Sequence, residues 1–225
     1  MEFDAIILAG GRSSRLGGVP KSRLVYDGAT LLERSLRAAG AAGRAVVVGP
    51  DPGDLPDGVL TWREEPPFAG PAAAIAAGLD ALAADHAGRP GDAGPAPFTL
   101  VLACDMPRSA AAVRVLAESL AVSLAAAKDQ HRGDGVMAVS EDGRKQPLAG
   151  FYGTAALQRS VTDARHRGSL ENASVFALLA SLDVREVRVP PGSTDDVDTW
   201  DDASALGISG RFPHLGPGSG PEPRS

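Results

Sequence analysis

The stretch Ala5–Lys21, AIILAGGRSSRLGGVPK, carries the first decision about this chain. Its opening residues Ala5–Ala9 are apolar without a break, as expected of a strand buried on both faces of a parallel sheet. Gly10 and Gly11 end that run, and Arg12, Arg15 and Lys21 follow among serines and glycines, with Arg23 just beyond. Glycines let backbone N–H groups approach phosphate oxygens closely and permit turns with positive φ. Arg15 offers a planar fork of donors and Lys21 a compact point charge, so the loop suits a triphosphate. A solvated glycine-rich surface loop is the plainer alternative. Pro20 rather than glycine precedes Lys21, so the loop is not a Walker A motif, and no Gly-x-Gly-x-x-Gly opens a helix.

Working outward, strand-like and helix-like patterns alternate. Thr30 precedes a helical spacing of Leu32, Leu36 and Ala39, and Gly40 closes it. Ala45–Val48 is a second buried strand, ended by Gly49-Pro50. An Ala-rich helix is expected over Gly70–Leu82, and the Gly-, Pro- and Asp-bearing stretch Asp85–Pro97 reads as an exposed loop insertion. Phe98–Ala103 is a fully apolar strand, followed by a helix carrying Val113, Leu116 and Leu120. Strands near Val136–Val139, Leu148–Tyr152 and Val184–Val189 alternate with helices near Ala155–Ala164, Glu171–Leu179 and Trp200–Leu206. This order predicts an α/β fold, a mainly parallel sheet with helices on both faces. Residues 1–207 read as one domain and 208–225 as a disordered tail with little to bury.

Composition narrows the function. The net charge of −6 argues against a nucleic-acid partner, since such binding rests on cations that neutralise phosphates. Basic residues crowded into one loop of an acidic chain suit a small phosphate ligand better. Cys104 is the single cysteine, which excludes an intramolecular disulfide and a cysteine-based structural zinc site; it reads as a small packing residue. The histidines His86, His131, His166 and His214 lack metal-ligand spacing. No run approaches the ~20 apolar residues of a membrane span, and the amino terminus lacks a basic leader, so no membrane partner and a cytoplasmic location are expected.

Four further segments could carry chemistry. Asp105 directly follows the buried strand Phe98–Ala103, at the strand end where ligands bind in such sheets. A carboxylate there can hold Mg²⁺ while water and phosphate oxygens fill the other positions, although a helix cap is the simpler role. Thr194–Asp202, TDDVDTWDD, offers Asp198 as a second metal ligand, but acidic residues at a helix start are also stabilised by its dipole. In Glu64–Pro71, Gly70 could let the backbone approach a nucleobase, and Glu65 could accept hydrogen bonds from base or ribose or be merely solvated. Gln146 could line an acceptor pocket or simply open a strand.

Together these segments resemble the molybdenum cofactor nucleotidyltransferases, above all the guanylyltransferases. The family opening Leu-Ala-Gly-Gly-x-Ser-x-Arg-Met-Gly with a following Asp-Lys is similar to Leu8–Gly17 and Lys21, with Leu16 for Met and Pro20 for Asp. Gly70-Pro71, Cys104-Asp105-Met106-Pro107, Gln146-Pro147-Leu148 and Asp196-Val197-Asp198-Thr199 follow in the family's order. The resemblance implies a Rossmann-like nucleotidyltransferase fold and Mg²⁺-dependent transfer of GMP from GTP to the phosphate of molybdenum-bound molybdopterin. It places Leu8, Ala9, Gly10, Gly11 and Lys21 on the nucleotide, with Glu65, Gly70 and Asp105, and implies transient contact with molybdoenzyme maturation proteins. Gly49 stands where guanylyltransferases commonly have Asn, and Asp198 has the form more typical of cytidylyl-transferring relatives.

An acceptor phosphate is already a nucleophile, so no catalytic base is required. Catalysis reduces to aligning two polyanions and neutralising charge, a role that suits Lys21, Arg15 and an Asp105-bound Mg²⁺. Rival readings use another triphosphate: cytidylyl transfer to the same cofactor, or nucleotidyl transfer to a sugar phosphate. A non-catalytic nucleotide-binding regulator is the rival of a different class.

Overall fold

The computed structural model describes residues 1–11, 16–50, 54–89, 91–126 and 133–208. Arg12, Arg15 and the tail expected beyond Ile208 lie outside the described residues. β1 (Phe3–Leu8) leads through a hairpin, β2 (Val25–Tyr26) and β3 (Ala29–Thr30), into α1 (Leu31–Ala38) and then β4 (Ala45–Val48). β5 (Val59–Trp62), α2 (Pro71–Ala87), β6 (Phe98–Ala103) and α3 (Ser109–Ala126) follow. The remainder comprises β7 (Gly135–Val139), β8 (Lys145–Gly153), α4 (Thr154–His166), α5 (Val175–Leu179), β9 (Val184–Arg188) and α6 (Trp200–Ala205).

Seven strands form one sheet in the order β5-β4-β1-β6-β8-β7-β9, and only β8 runs against its neighbours. From β1 the chain steps outward to β4 and β5. It then returns through α2 to lay β6 on the other side of β1. The strand order reverses between β1 and β6, and in open α/β sheets the ligand crevice lies at that switch, beyond the strands' carboxyl ends. Here those ends are Leu8 and Ala103, which are register partners.

The unbroken apolar strands follow from burial on both faces. In β1, Ala5 and Ile7 pack with Leu32 of α1 and Val113 and Leu116 of α3. Ile6 and Leu8 point the other way, into Ile75 and Leu79 of α2 and Leu157 of α4. Each fully buried isoleucine contributes about 1.5–3 kcal/mol relative to exposure. α3 is long and apolar, but Leu116 and Leu120 are buried against the sheet while Arg114 and Glu118 pair 3.6 Å apart at its exposed side. It is a core helix.

A third, smaller cluster joins distant parts of the chain. Leu16, Leu24 and Leu31 pack with Val197, Ala203 and Ile208. Ile208, assigned to the tail by sequence, is therefore the last residue of this cluster, since the aliphatic side chain has a pocket to fill.

Two other expectations are corrected. The segment Asp85–Pro97 is an exposed loop only in part: Gly88, Arg89, Gly91, Ala93, Pro95 and Pro97 are exposed, but α2 continues to Ala87, and His86 is buried between Asp4 (2.9 Å) and Asp92 (2.8 Å). Arg44 reaches Asp85 and Asp92 from the end of the α1–β4 turn. The helix expected from Glu171 starts only at Val175, because Asn172 takes a left-handed conformation (φ 57°) and its N–H bonds the Ala69 carbonyl. Ser174 caps the shortened helix instead.

Candidate active site

The carboxyl ends of β1, β5 and β6 converge on a cavity of about 230 Å³. Ladder-like bonds continue past the strands and fix its floor: Ala9 N–H donates to Val48 O, Cys104 N–H to Leu8 O and Gly49 N–H to Trp62 O. Leu8, Gly10, Gly11, Lys21, Gly70 and Asp105 all line the cavity. Of the predicted nucleotide contacts, Ala9 differs. Its side chain is buried in the core and its N–H is spent on Val48, whereas among the described residues the amides of Gly10 and Gly11 donate to nothing. Gly49 explains how that backbone is presented. It has φ 151°, and a Cβ on it would stand 2.7 Å from Gly10 N.

At one end of the cavity Lys21 meets two carboxylates. Pro20 is extended, and a 3-10 turn over Lys21–Arg23 follows it. The Leu16–Leu24–Val197 cluster then draws the closing segment 197–208 against that turn. Val197 N–H bonds the Asp105 carbonyl, which locks the segment to the end of β6. As a result the Lys21 ammonium lies 3.0 Å from Asp105 Oδ2 and in direct contact with Asp198 Oδ1. Burial pulls the Lys21 pKa down, but attraction and hydrogen bonding to Asp105 and Asp198 outweigh it, and the ammonium is held above its ordinary range. Asp198 is not the helix cap: Thr199 caps α6, in a reciprocal box with Asp202.

Asp196 stands beside this pair. Partial burial first, then the Asp105 and Asp198 charges, raise its carboxyl above the usual carboxylate range. Burial and the neighbouring Asp105 push the Cys104 thiol far up, and its side chain belongs to the core cluster under the sheet end. Its role is packing, as its sequence suggested.

Of the two adjacent glutamates, Glu64 lines this cavity and Glu65 does not. Glu65 is exposed and takes no part in the cavity lining. Glu64 is 6% exposed; its Oε1 accepts from Phe68 N–H at 3.0 Å, and its Oε2 has no hydrogen-bond partner among the described residues. A buried carboxylate oxygen without a donor is costly and belongs where a ligand supplies one.

Gln146 lies elsewhere. It lines a separate open cavity of about 490 Å³ with Ser140, Arg144, Thr194, Asp195 and Asp196. β8 bulges over Pro147–Ala149, where the register shifts between Met137 and Ala138, and Leu148 lines the first cavity and Gln146 the second. Asp196 borders this second cavity and feels the Asp105 charge, which makes the two spaces neighbours across the carboxylates. A larger cleft of about 560 Å³ between Arg37, Arg44 and Asp57 lies at the opposite, amino-terminal ends of β4 and β5. Its Arg44 is already paired with Asp85 and Asp92.

Among the described residues no group of three or more His, Cys, Asp or Glu side chains is arranged around one metal position. Asp105 and Asp198 are thus a two-carboxylate set, already bridged by one cation.

A family model for the MobA-like NTP transferase domain matches residues 5–183. The chain belongs to that family. It is a nucleotidyltransferase, and its Lys21 and Asp105 lie within the matched span while Asp198 lies beyond it. A molybdenum cofactor guanylyltransferase of Bordetella petrii is 34% identical over 111 residues, 48% of this chain and 50% of that protein. The match thus spans about half the length of that curated relative. The fold is shared with solved transferases along nearly the whole chain. A molybdopterin-guanine dinucleotide biosynthesis protein A of Archaeoglobus fulgidus superposes with TM-score 0.61 at 18% identity, over 91% of this chain and 96% of that one. A 2-C-methyl-D-erythritol 4-phosphate cytidylyltransferase of Francisella tularensis gives 0.66 at 12% identity, over 92% and 99%.

Proposed function

We propose that this transferase moves GMP from GTP to the phosphate of molybdenum-bound molybdopterin in the cytoplasm and releases pyrophosphate. The observation that carries the reading is the Lys21 ammonium held between Asp105 and Asp198, beside the Gly10 and Gly11 amides, which donate to nothing among the described residues. An oxygen of the acceptor phosphate attacks the α-phosphorus, the bond from that phosphorus to the β-phosphate bridging oxygen breaks, and pyrophosphate leaves with the electron pair. No proton has to be removed from the nucleophile. Gly10 and Gly11 amides orient the triphosphate, and Lys21, with Arg15 in the role that the sequence reading gave it, neutralises charge on the leaving group.

The donor set suits Mg²⁺. Asp105 and Asp198 are hard oxygen ligands, and Mg²⁺ is commonly bound through one or two carboxylates plus substrate phosphates. When bound, the ion supplies further charge neutralisation between the two polyanions. Gln146, across the carboxylates in the second cavity, is assigned to the acceptor.

Support for guanine comes from Glu64, which takes the base-side role that sequence gave to Glu65. Guanine presents two adjacent donors, N1–H and the 2-amino group, to a carboxylate, and Glu64 Oε2, with no partner among the described residues, can accept one. Cytidylyl transfer is the second reading. It is favoured by Asp198, the form resembling the cytidylyl-transferring relatives. Pyrophosphate release from ATP, GTP, CTP and UTP, each with and without molybdenum cofactor, tests both. GTP- and acceptor-dependent release supports the first, CTP-dependent release the second, and no release with any triphosphate removes both.

A further inference from the structure

Two carboxylates and one ammonium make a centre of net charge −1. The ammonium's placement, 3.0 Å from Asp105 and in contact with Asp198, is where a small hard cation would bind the same oxygens. We propose that Lys21 is a resident counter-ion of the Asp105–Asp198 pair, which a divalent metal displaces only when it arrives together with a triphosphate. The proposal rests on the reading that these two aspartates are the metal ligands; it does not depend on which base or acceptor is used.

The reasoning is a balance of ligands and charges. A free divalent ion finds no third acidic or imidazole ligand here among the described residues. It must also expel a tethered cation that is always present. The expelled ammonium would be left half-buried with no anion to replace the two it lost, which is unfavourable. A metal–triphosphate complex changes both terms. Phosphate oxygens complete the metal's coordination, and the same phosphates receive the ammonium. Lys21 carries its charge on a flexible four-carbon stem, while its backbone is fixed in the 3-10 turn. The Nζ can therefore change partners with no movement of the loop. Metal affinity and nucleotide affinity are coupled through a single side chain, and by linkage each strengthens the other.

Mn²⁺ alone, titrated into the full chain and followed by its free-ion EPR signal, tests this without turnover. Wild type is expected to bind Mn²⁺ weakly, and Lys21→Met and Lys21→Gln at least ten-fold more tightly. Lys21→Arg, which keeps the charge, should remain weak. Adding GTP with an α,β-methylene bridge should tighten Mn²⁺ binding to wild type at least ten-fold and to Lys21→Met much less. Equal Mn²⁺ affinity in wild type and folded Lys21→Met overturns the proposal and leaves the transferase reading standing. If the substituted proteins do not fold, the wild-type arm decides: no gain in Mn²⁺ affinity with the analogue overturns it. Absence of Mn²⁺ binding under every condition removes the metal reading and the proposal with it.

Discussion

Gly49, at the end of β4, backs onto Gly10 so closely that a Cβ would lie 2.7 Å from the Gly10 nitrogen. The strand end thereby shapes the loop that presents the Gly10 and Gly11 amides. Gly49→Ala should lower stability by roughly 1–3 kcal/mol, from strained φ and displaced backbone. It should also raise the KM for the triphosphate. Asn, the residue common in guanylyltransferases, should be no better tolerated here, because its Cβ meets the same atoms. Urea denaturation and initial rates check this; wild-type stability with wild-type KM would contradict the packing argument.

Asp105→Asn and Asp198→Asn should each raise the Mg²⁺ concentration needed for half-maximal rate. Together they should be non-additive, since both act on one site. Thr199 already caps α6, so Asp198→Asn should leave the melting temperature nearly unchanged. An unaltered Mg²⁺ titration for Asp198→Asn would leave Asp105 as the sole acidic ligand.

Glu64→Gln exchanges an acceptor for a donor inside the cavity. Loss of a hydrogen bond to a charged group costs about 1.5–3 kcal/mol, so the KM for GTP should rise by about ten-fold or more with a smaller change in kcat. Glu65→Gln should change neither. Equal effects from the two substitutions would remove Glu64 from the base pocket.

His86 gives a pH dependence far from the active site. Burial lowers its pKa, but hydrogen bonds and charge from Asp92 and Asp4 raise it further, and the net shift is upward. The groups facing the ring are Asp4 from β1 and Asp92 from the following loop, with Arg44 and Asp85 behind Asp92. A raised folded pKa means that the stabilisation is complete below the ordinary histidine range and is lost as pH rises through the folded value. The urea midpoint should therefore fall between neutral and mildly alkaline pH in wild type, with a flatter profile in His86→Gln. Identical slopes would show that the ring is not held as an imidazolium.

How far the sequence could be read depended on how local each feature was. β4 and β6 appear with their exact bounds because burial on both faces leaves no charged residue in either run. Asp105 stood out because it directly follows such a run, and Lys21 because it ends the glycine-rich basic stretch after β1. Asp198 was recognisable as acidic, but its contact with Lys21 is made by packing between Leu16, Leu24 and Val197, which no local pattern records. Glu64 and Glu65 are identical neighbours in sequence, and only the folded chain puts one in the cavity wall and the other in solvent. Within the Asp85–Pro97 stretch, the anchoring of His86 and Asp92 was not legible because their partners, Asp4 and Arg44, are distant in sequence. A signal did exist: Asp4 is a carboxylate inside an apolar strand, and a buried charge requires a partner. The β2–β3 hairpin was likewise marked by Asp27-Gly28, both with positive φ, a pair favoured in two-residue hairpin turns.

The central claim is that the ammonium of Lys21, set against Asp105 and Asp198, handles the triphosphate. The most direct measurement is the turnover of Lys21→Ala, followed as pyrophosphate release at saturating triphosphate and acceptor, alongside its melting temperature. Removing one charge contact to a developing oxyanion typically costs ~10²-fold or more in rate. The expected result is at least that loss of kcat in a protein that melts within a few degrees of wild type. Turnover within about a factor of two of wild type would contradict the account.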